Sequence, residues 1–148
     1  HYWLDKDHKF FIDLNLQVYE GRVLVSGVTK DEQERADAIQ LAWKAKGVRE
    51  VINEVEVNPA GTGLVDYARD AAIVTELKSR MLFNRDIISV NYSIEVVNGS
   101  VFLIGVAQSD AELGRVLNTA RNIGNVKRVI SHVLMKDDPA RFRDPPPA

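Results

Sequence analysis

Val18, Gly21, Val23, Gly27 and Val28 recur without a gap 78 residues later, as Val96, Gly99, Val101, Gly105 and Val106. The same offset carries Glu34 onto Glu112 and Ala42 onto Ala120, then Val48, Val51, Ile52 and Val55 onto Val126, Val129, Ile130 and Val133. A register this regular means one small module written twice, so a fold that explains one copy must explain the other.

The repeated residues are of the types a backbone demands. Glu20-Gly21 and Asn98-Gly99 each lie between stretches of alternating apolarity, and Asn-Gly is a strong signal for a tight hairpin whose two central residues need positive φ. After each hairpin a matched cap opens a helix: Asp31 with Glu34, and Ser109 with Glu112. Apolar residues then follow at helical spacing, Ala38, Ile39, Ala42 and Ala45 in the first copy and Val116, Leu117, Ala120 and Ile123 in the second. Gly47 and Gly124-Asn125 end these helices, and third strands follow over 48–57 and 126–135. In the first of these strands the side bearing Glu54 and Glu56 is expected to face water.

The second copy has a further helix before its hairpin, from Asp66 to about Phe83, with Ile73, Val74, Leu77, Met81 and Leu82 as its apolar stripe. Subtracting the offset leaves only the tail of the matching helix, Tyr2-Trp3-Leu4-Asp5, in the first copy. The expected fold is α+β: two tandem αββαβ modules, each a three-stranded mixed sheet with helices on one face, the first helix of the first module largely missing. The expected divisions are a first module over 1–57, a linker over 58–65, a second module over 66–136, and a disordered proline-rich tail over 137–148. A small sheet with one bare apolar face needs cover. Residues upstream of His1, the second copy or another chain are expected to supply it.

The repeated string, Val-x-x-Gly-x-Val-x-x-x-Gly-Val, followed by a capped helix and by Gly47-Val48-Arg49-Glu50-Val51-Ile52-Asn53, resembles the BON domain, the bacterial OsmY and nodulation domain. The second copy departs from the pattern at Asn125, in place of the glycine, and at Ser131, in place of the asparagine. What the resemblance implies is a tandem BON protein similar to OsmY-like envelope proteins. Such proteins are exported to the periplasm of Gram-negative bacteria, sometimes lipid-anchored, bind phospholipid surfaces, support envelope integrity, and have no established catalytic activity.

The residues themselves exclude a good deal of chemistry. The chain has no cysteine, which removes disulfides, thiolate metal sites and thiol catalysis together. His1, His8 and His132 lack any local metal-binding spacing, and no metal or cofactor is expected. No serine sits in a nucleophile elbow. The acidic residues Asp31, Glu32 and Glu34 are explained by a helix start. Residues 1–57 hold eight Lys/Arg against eleven Asp/Glu, and residues 64–148 hold eleven against ten. Neither half has the basic excess of a nucleic-acid binder, and neither has a basic Gly-x-x-Gly loop.

One stretch mixes cations with large apolar groups: Lys78-Ser79-Arg80-Met81-Leu82-Phe83-Asn84-Arg85. Lys78, Arg80, Phe83 and Arg85 are therefore expected to contact an anionic phospholipid surface. The alternative is a protein-interaction or self-assembly module, for which Trp3, Phe10, Phe11 and Trp43 are the expected partner surface.

Overall fold

The computed structural model describes residues 2–4, 11–61 and 63–143. They form two compact units that divide between residues 62 and 63. The first contains β1 (Tyr2–Leu4), β2 (Phe11–Tyr19), β3 (Arg22–Thr29), α1 (Glu32–Trp43) and β4 (Glu50–Val57). The second contains α2 (Leu64–Leu82), a short 3-10 turn (Ser89–Asn91), β5 (Tyr92–Val97), β6 (Ser100–Ala107), α3 (Asp110–Arg121) and β7 (Arg128–Met135). Strand order is β1-β2-β3-β4 in one sheet and β5-β6-β7 in the other.

Each hairpin is antiparallel, and each helix after it carries the chain across to a parallel third strand. The hairpins turn as their sequences require. Glu20 and Gly21 have φ of 52° and 79°, and Asn98 and Gly99 have 49° and 80°. These turns also sit close under the loop that follows each helix: Arg49 N–H donates to the Gly21 carbonyl at 2.7 Å, and Lys127 N–H to the Gly99 carbonyl at 2.8 Å. A Cβ on Gly99 would lie 3.0 Å from the Asn125 carbonyl oxygen.

The caps are formed reciprocally. Glu34 N–H donates to Asp31 Oδ1 at 2.8 Å while Glu34 Oε2 accepts from Lys30 N–H at 3.0 Å. Glu112 N–H donates to Ser109 Oγ at 3.1 Å while Glu112 Oε1 accepts from Gln108 N–H at 2.9 Å. The helices stop at Trp43 and Arg121, a few residues before the positive-φ positions Gly47 and Asn125. Ala45 therefore lies beyond its helix and is exposed, whereas Ile123, also beyond its helix, is buried in the core.

In the second unit both helices cover one face of the sheet: Ile73, Leu77 and Met81 of α2, with Val116 and Ala120 of α3, pack on Ile94, Val96, Val101 and Leu103. In the first unit α1 puts Ala38 and Ala42 over Leu14, Val23, Val25 and Val55. The central strands β3 and β6 are buried along their whole length, which is why they read as near-continuous apolar runs. On β4 Glu56 is exposed, as expected, but Glu54 is half-buried and Ile52, on the same side, is buried.

Tyr2–Leu4 corrects one expectation. It is not the tail of a helix but a strand, pairing antiparallel with Phe11–Asp13, so the first sheet has four strands. A single helical turn carries too few hydrogen bonds to hold itself, and aromatic residues favour pleated backbone. The consequence for the sheet face is measurable. Val96, under α2, is 6% exposed, whereas its counterpart Val18 is 60% exposed, no described helix covering that half of the first sheet. The sequence from Asp137 onward, expected to be disordered, includes a 3-10 turn at Pro139–Phe142 capped by Asp138. Residues 144–148 lie outside the described residues.

Gly99→Ala should lower the urea-unfolding free energy of the second unit by about 1–2 kcal/mol, since an L side chain is strained at that φ. Gly114→Ala, in the exposed middle of α3 with nothing within 4 Å of the added Cβ, should raise it by about 0.5–1 kcal/mol.

Candidate functional site

The apolar stripe of α2 is narrower than its sequence suggests. Ile73, Leu77 and Met81 follow one another at four-residue spacing and are all buried, which fixes the core-facing side of the helix. Leu82 is turned about 100° from Met81 and is 66% exposed, and Phe83, the C-cap, is 81% exposed. Leu82 thus belongs to the surface and not to the core stripe.

Past the helix the chain turns at Asn84, whose Oδ1 accepts from Asp86 N–H at 2.9 Å. Ile87 is buried, while Ile88 and Val90 are exposed. Four of the ten large hydrophobic residues exposed among the described residues therefore fall between 82 and 90, a concentration that scattered surface apolar residues do not produce.

Two buried carboxylates pin the unit at opposite ends of β5, Asp70 at the hairpin turn and Glu112 beside the exposed apolar residues. Asp70, on α2, accepts from Asn98 N–H at 2.8 Å and Gly99 N–H at 2.9 Å, which ties the helix to the hairpin turn. Burial raises its pKa above the usual aspartate range, against the lowering effect of the two amides. Glu112 accepts from the Tyr92 hydroxyl at 2.6 Å and from Gln108 N–H at 2.9 Å on Oε1, and from Ile88 N–H at 2.9 Å on Oε2. Burial alone would raise its pKa. The Tyr92 hydroxyl, the two amides and nearby Arg115 outweigh that and hold it below the usual glutamate range. Glu112 thereby fixes the segment that carries Ile88 and Val90. Gly105 lets that segment lie flat on the sheet, since a Cβ there would come within 2.0 Å of the Asn91 carbonyl oxygen.

The expected contact residues are distributed unevenly. Lys78 is exposed and makes no ion pair among the described residues; it shares a groove with Leu82, Ser89 and Val90. Arg80 points elsewhere on the helix and pairs with Glu76 at 3.0 Å. Phe83 and Arg85 are exposed beside the turn. Of the expected partner surface, Trp43 is 44% exposed at the end of α1. Trp3 and Phe11 lie on β1 and β2, their side chains outside the described residues, as is Phe10 entirely. Ile88, Val90 and the Tyr92–Glu112 pair were not singled out from sequence. The available signal was the failure of the repeat between residues 86 and 92, where the second copy differs from the first. No group of three His, Asp or Glu side chains able to hold a metal occurs among the described residues.

The doubled hairpin, helix and parallel strand coincide with two spans, residues 4–59 and 69–137, that match the family model of the BON domain. The chain belongs to the BON domain family. Among similar proteins, an uncharacterized protein from the gshII 5′ region of Anaplasma centrale is 40% identical over 134 residues, which cover 90% of this chain and 89% of that one. The outer membrane lipoprotein DolP of Haemophilus influenzae is 33% identical over 118 residues, covering 79% of this chain and 60% of DolP. The osmotically-inducible protein Y of Escherichia coli is 28% identical over 134 residues, covering 90% of this chain and 67% of that protein. No described helix of this BON protein is long and apolar enough to cross a membrane.

The depressed pKa of Glu112 sets a sign. Its ionised form stabilises the fold, so that stability is present above the usual glutamate range and is lost as pH falls through the depressed value. Glu112→Gln should remove this acid limb and cost about 1.5–3 kcal/mol at neutral pH, read from hydrogen exchange at the Val101 and Leu103 amides. Asp70 acts in the opposite sense, its contribution falling as pH rises just above the usual aspartate range.

Proposed function

We propose that this BON protein is a noncatalytic component of the bacterial envelope, periplasmic in location, whose second unit binds anionic phospholipid surfaces in support of envelope integrity or stress tolerance. The observation that carries the reading is the cluster of exposed Leu82, Phe83, Ile88 and Val90 at one end of that unit, with Lys78 and Arg85 beside it and Arg80 on another side of the helix. Apolar side chains enter the acyl boundary while cations meet headgroups, each cation contributing about 1 kcal/mol near an anionic surface. Lys78 and Arg85 are the stronger candidates, because Arg80 already has Glu76 as partner. That this chain is similar to an outer membrane lipoprotein and to an osmotically-inducible protein supports the compartment and the stress context.

A second reading rests on a different surface. Val18, Leu41 and Trp43 are exposed on the first unit, and they would suit a protein partner or a second copy of the chain. In that case light scattering should find an oligomer without lipid, and Trp43→Ala should reduce it to a monomer.

The membrane reading predicts cosedimentation with phosphatidylglycerol-containing vesicles at low salt, weakening as salt is added. Phe83→Asp should reduce the affinity about tenfold or more, since burying a phenylalanine is worth about 1.5–3 kcal/mol, and Trp43→Ala should leave it unchanged. Absence of vesicle binding at low salt would overturn the assignment.

A further inference from the structure

Between Leu82 and Val90 the surface dips into a groove of about 260 Å³. Met81, Tyr92 and Ile94 line it and are each nearly inaccessible to solvent, so they form its floor, with the exposed Leu82 and Val90 as walls. Tyr92, the one floor residue with a polar side chain, commits its hydroxyl to Glu112 at 2.6 Å. Among the described residues Lys78 is the only charged one that lines the groove, and its ammonium group makes no ion pair with any of them.

An occupant must therefore be an apolar chain with a negative group close to one end. A neutral apolar molecule would leave Lys78 unused, and a polar ligand would find no hydrogen-bonding partner on the floor. A dry apolar cavity of about 150 Å³ already admits benzene, so the groove has room for a segment of one hydrocarbon chain and not for a whole diacyl lipid. We propose that it seats part of a single acyl chain of an anionic phospholipid drawn from the membrane, with Lys78 on the phosphate.

This deepens the membrane reading and rests on it. Phe83 and Ile88, outside the groove, act as interfacial wedges. The groove selects one lipid molecule and holds it by chain and headgroup together. Glu112 preserves the groove by fixing both Tyr92 and the Ile88 amide.

The chain has two methionines, Met81 in the groove and Met135 on β7, so methyl-labelled methionine gives one reporter and one internal control. The full chain is titrated with a short-chain lysophosphatidylglycerol kept below its critical micelle concentration. The Met81 methyl signal should shift saturably while that of Met135 stays in place. Lys78→Gln should weaken the response about fivefold, and Ser89→Phe, which fills the groove from its rim, should abolish it. Vesicle binding without any Met81 response to the monomeric lipid would overturn the groove while leaving the interfacial reading intact. Loss of both would overturn both. An equal response to lysophosphatidylcholine would overturn the role of Lys78, and with it the anionic occupant.

Discussion

A single carboxylate, that of Glu112, joins three parts of the second unit. It closes the cap of α3, accepts the hydroxyl of Tyr92 on β5, and accepts the amide of Ile88 in the segment between α2 and the sheet. A buried charge persists only when its lone pairs are used, and here three donors use them. Without Glu112 the capping amide, the tyrosine and the loop amide would each be left to find another acceptor, the tyrosine hydroxyl in a buried position. The exposed Ile88 and Val90 keep their place because the residues around them are held from beneath.

The first unit shows what the same plan becomes with different residues. Leu14 occupies the position of Tyr92, and among the described residues Glu34 returns its carboxylate to the Lys30 amide and side chain alone. The β2 strand extends three residues further than β5 and pairs with Tyr2–Leu4, where the second unit has its 3-10 turn. The copies thus share a scaffold and differ at the edge where the candidate site lies.

Much of the scaffold was legible because its signals are local. Asn98-Gly99 states a turn, Ser109 and Glu112 state a helix start, and the 78-residue register doubles the weight of each. The site was less legible because it depends on direction and distance. Met81 and Leu82 are adjacent and similarly apolar, yet only helical phase set by Ile73 and Leu77 sends one inward and the other out. Ile87 and Ile88 differ in the same way, without helical periodicity to guide the choice. Glu112 could be read as a cap, but its second oxygen serves a residue 24 positions away, which no local pattern reveals. The strand at Tyr2–Leu4 was obscured by the repeat itself, which projected onto it the secondary structure of the other copy.

The facing pair at the start of each parallel ladder has a further consequence. In the first unit Arg22 lies opposite Glu50 and bonds it at 3.1 Å; in the second, Ser100 lies opposite Arg128 and bonds it at 2.8 Å. The cation has changed strands between copies. Tandem modules of similar sequence run the hazard of assembling from each other's pieces while they fold. A sheet that took β7 as the neighbour of β3 would set Arg22 directly against Arg128, and one that took β4 as the neighbour of β6 would lose the guanidinium of its ladder altogether. The transposed arginine makes both crossed ladders chemically unlike the native ones, one pairing two cations and the other pairing Ser100 with Glu50.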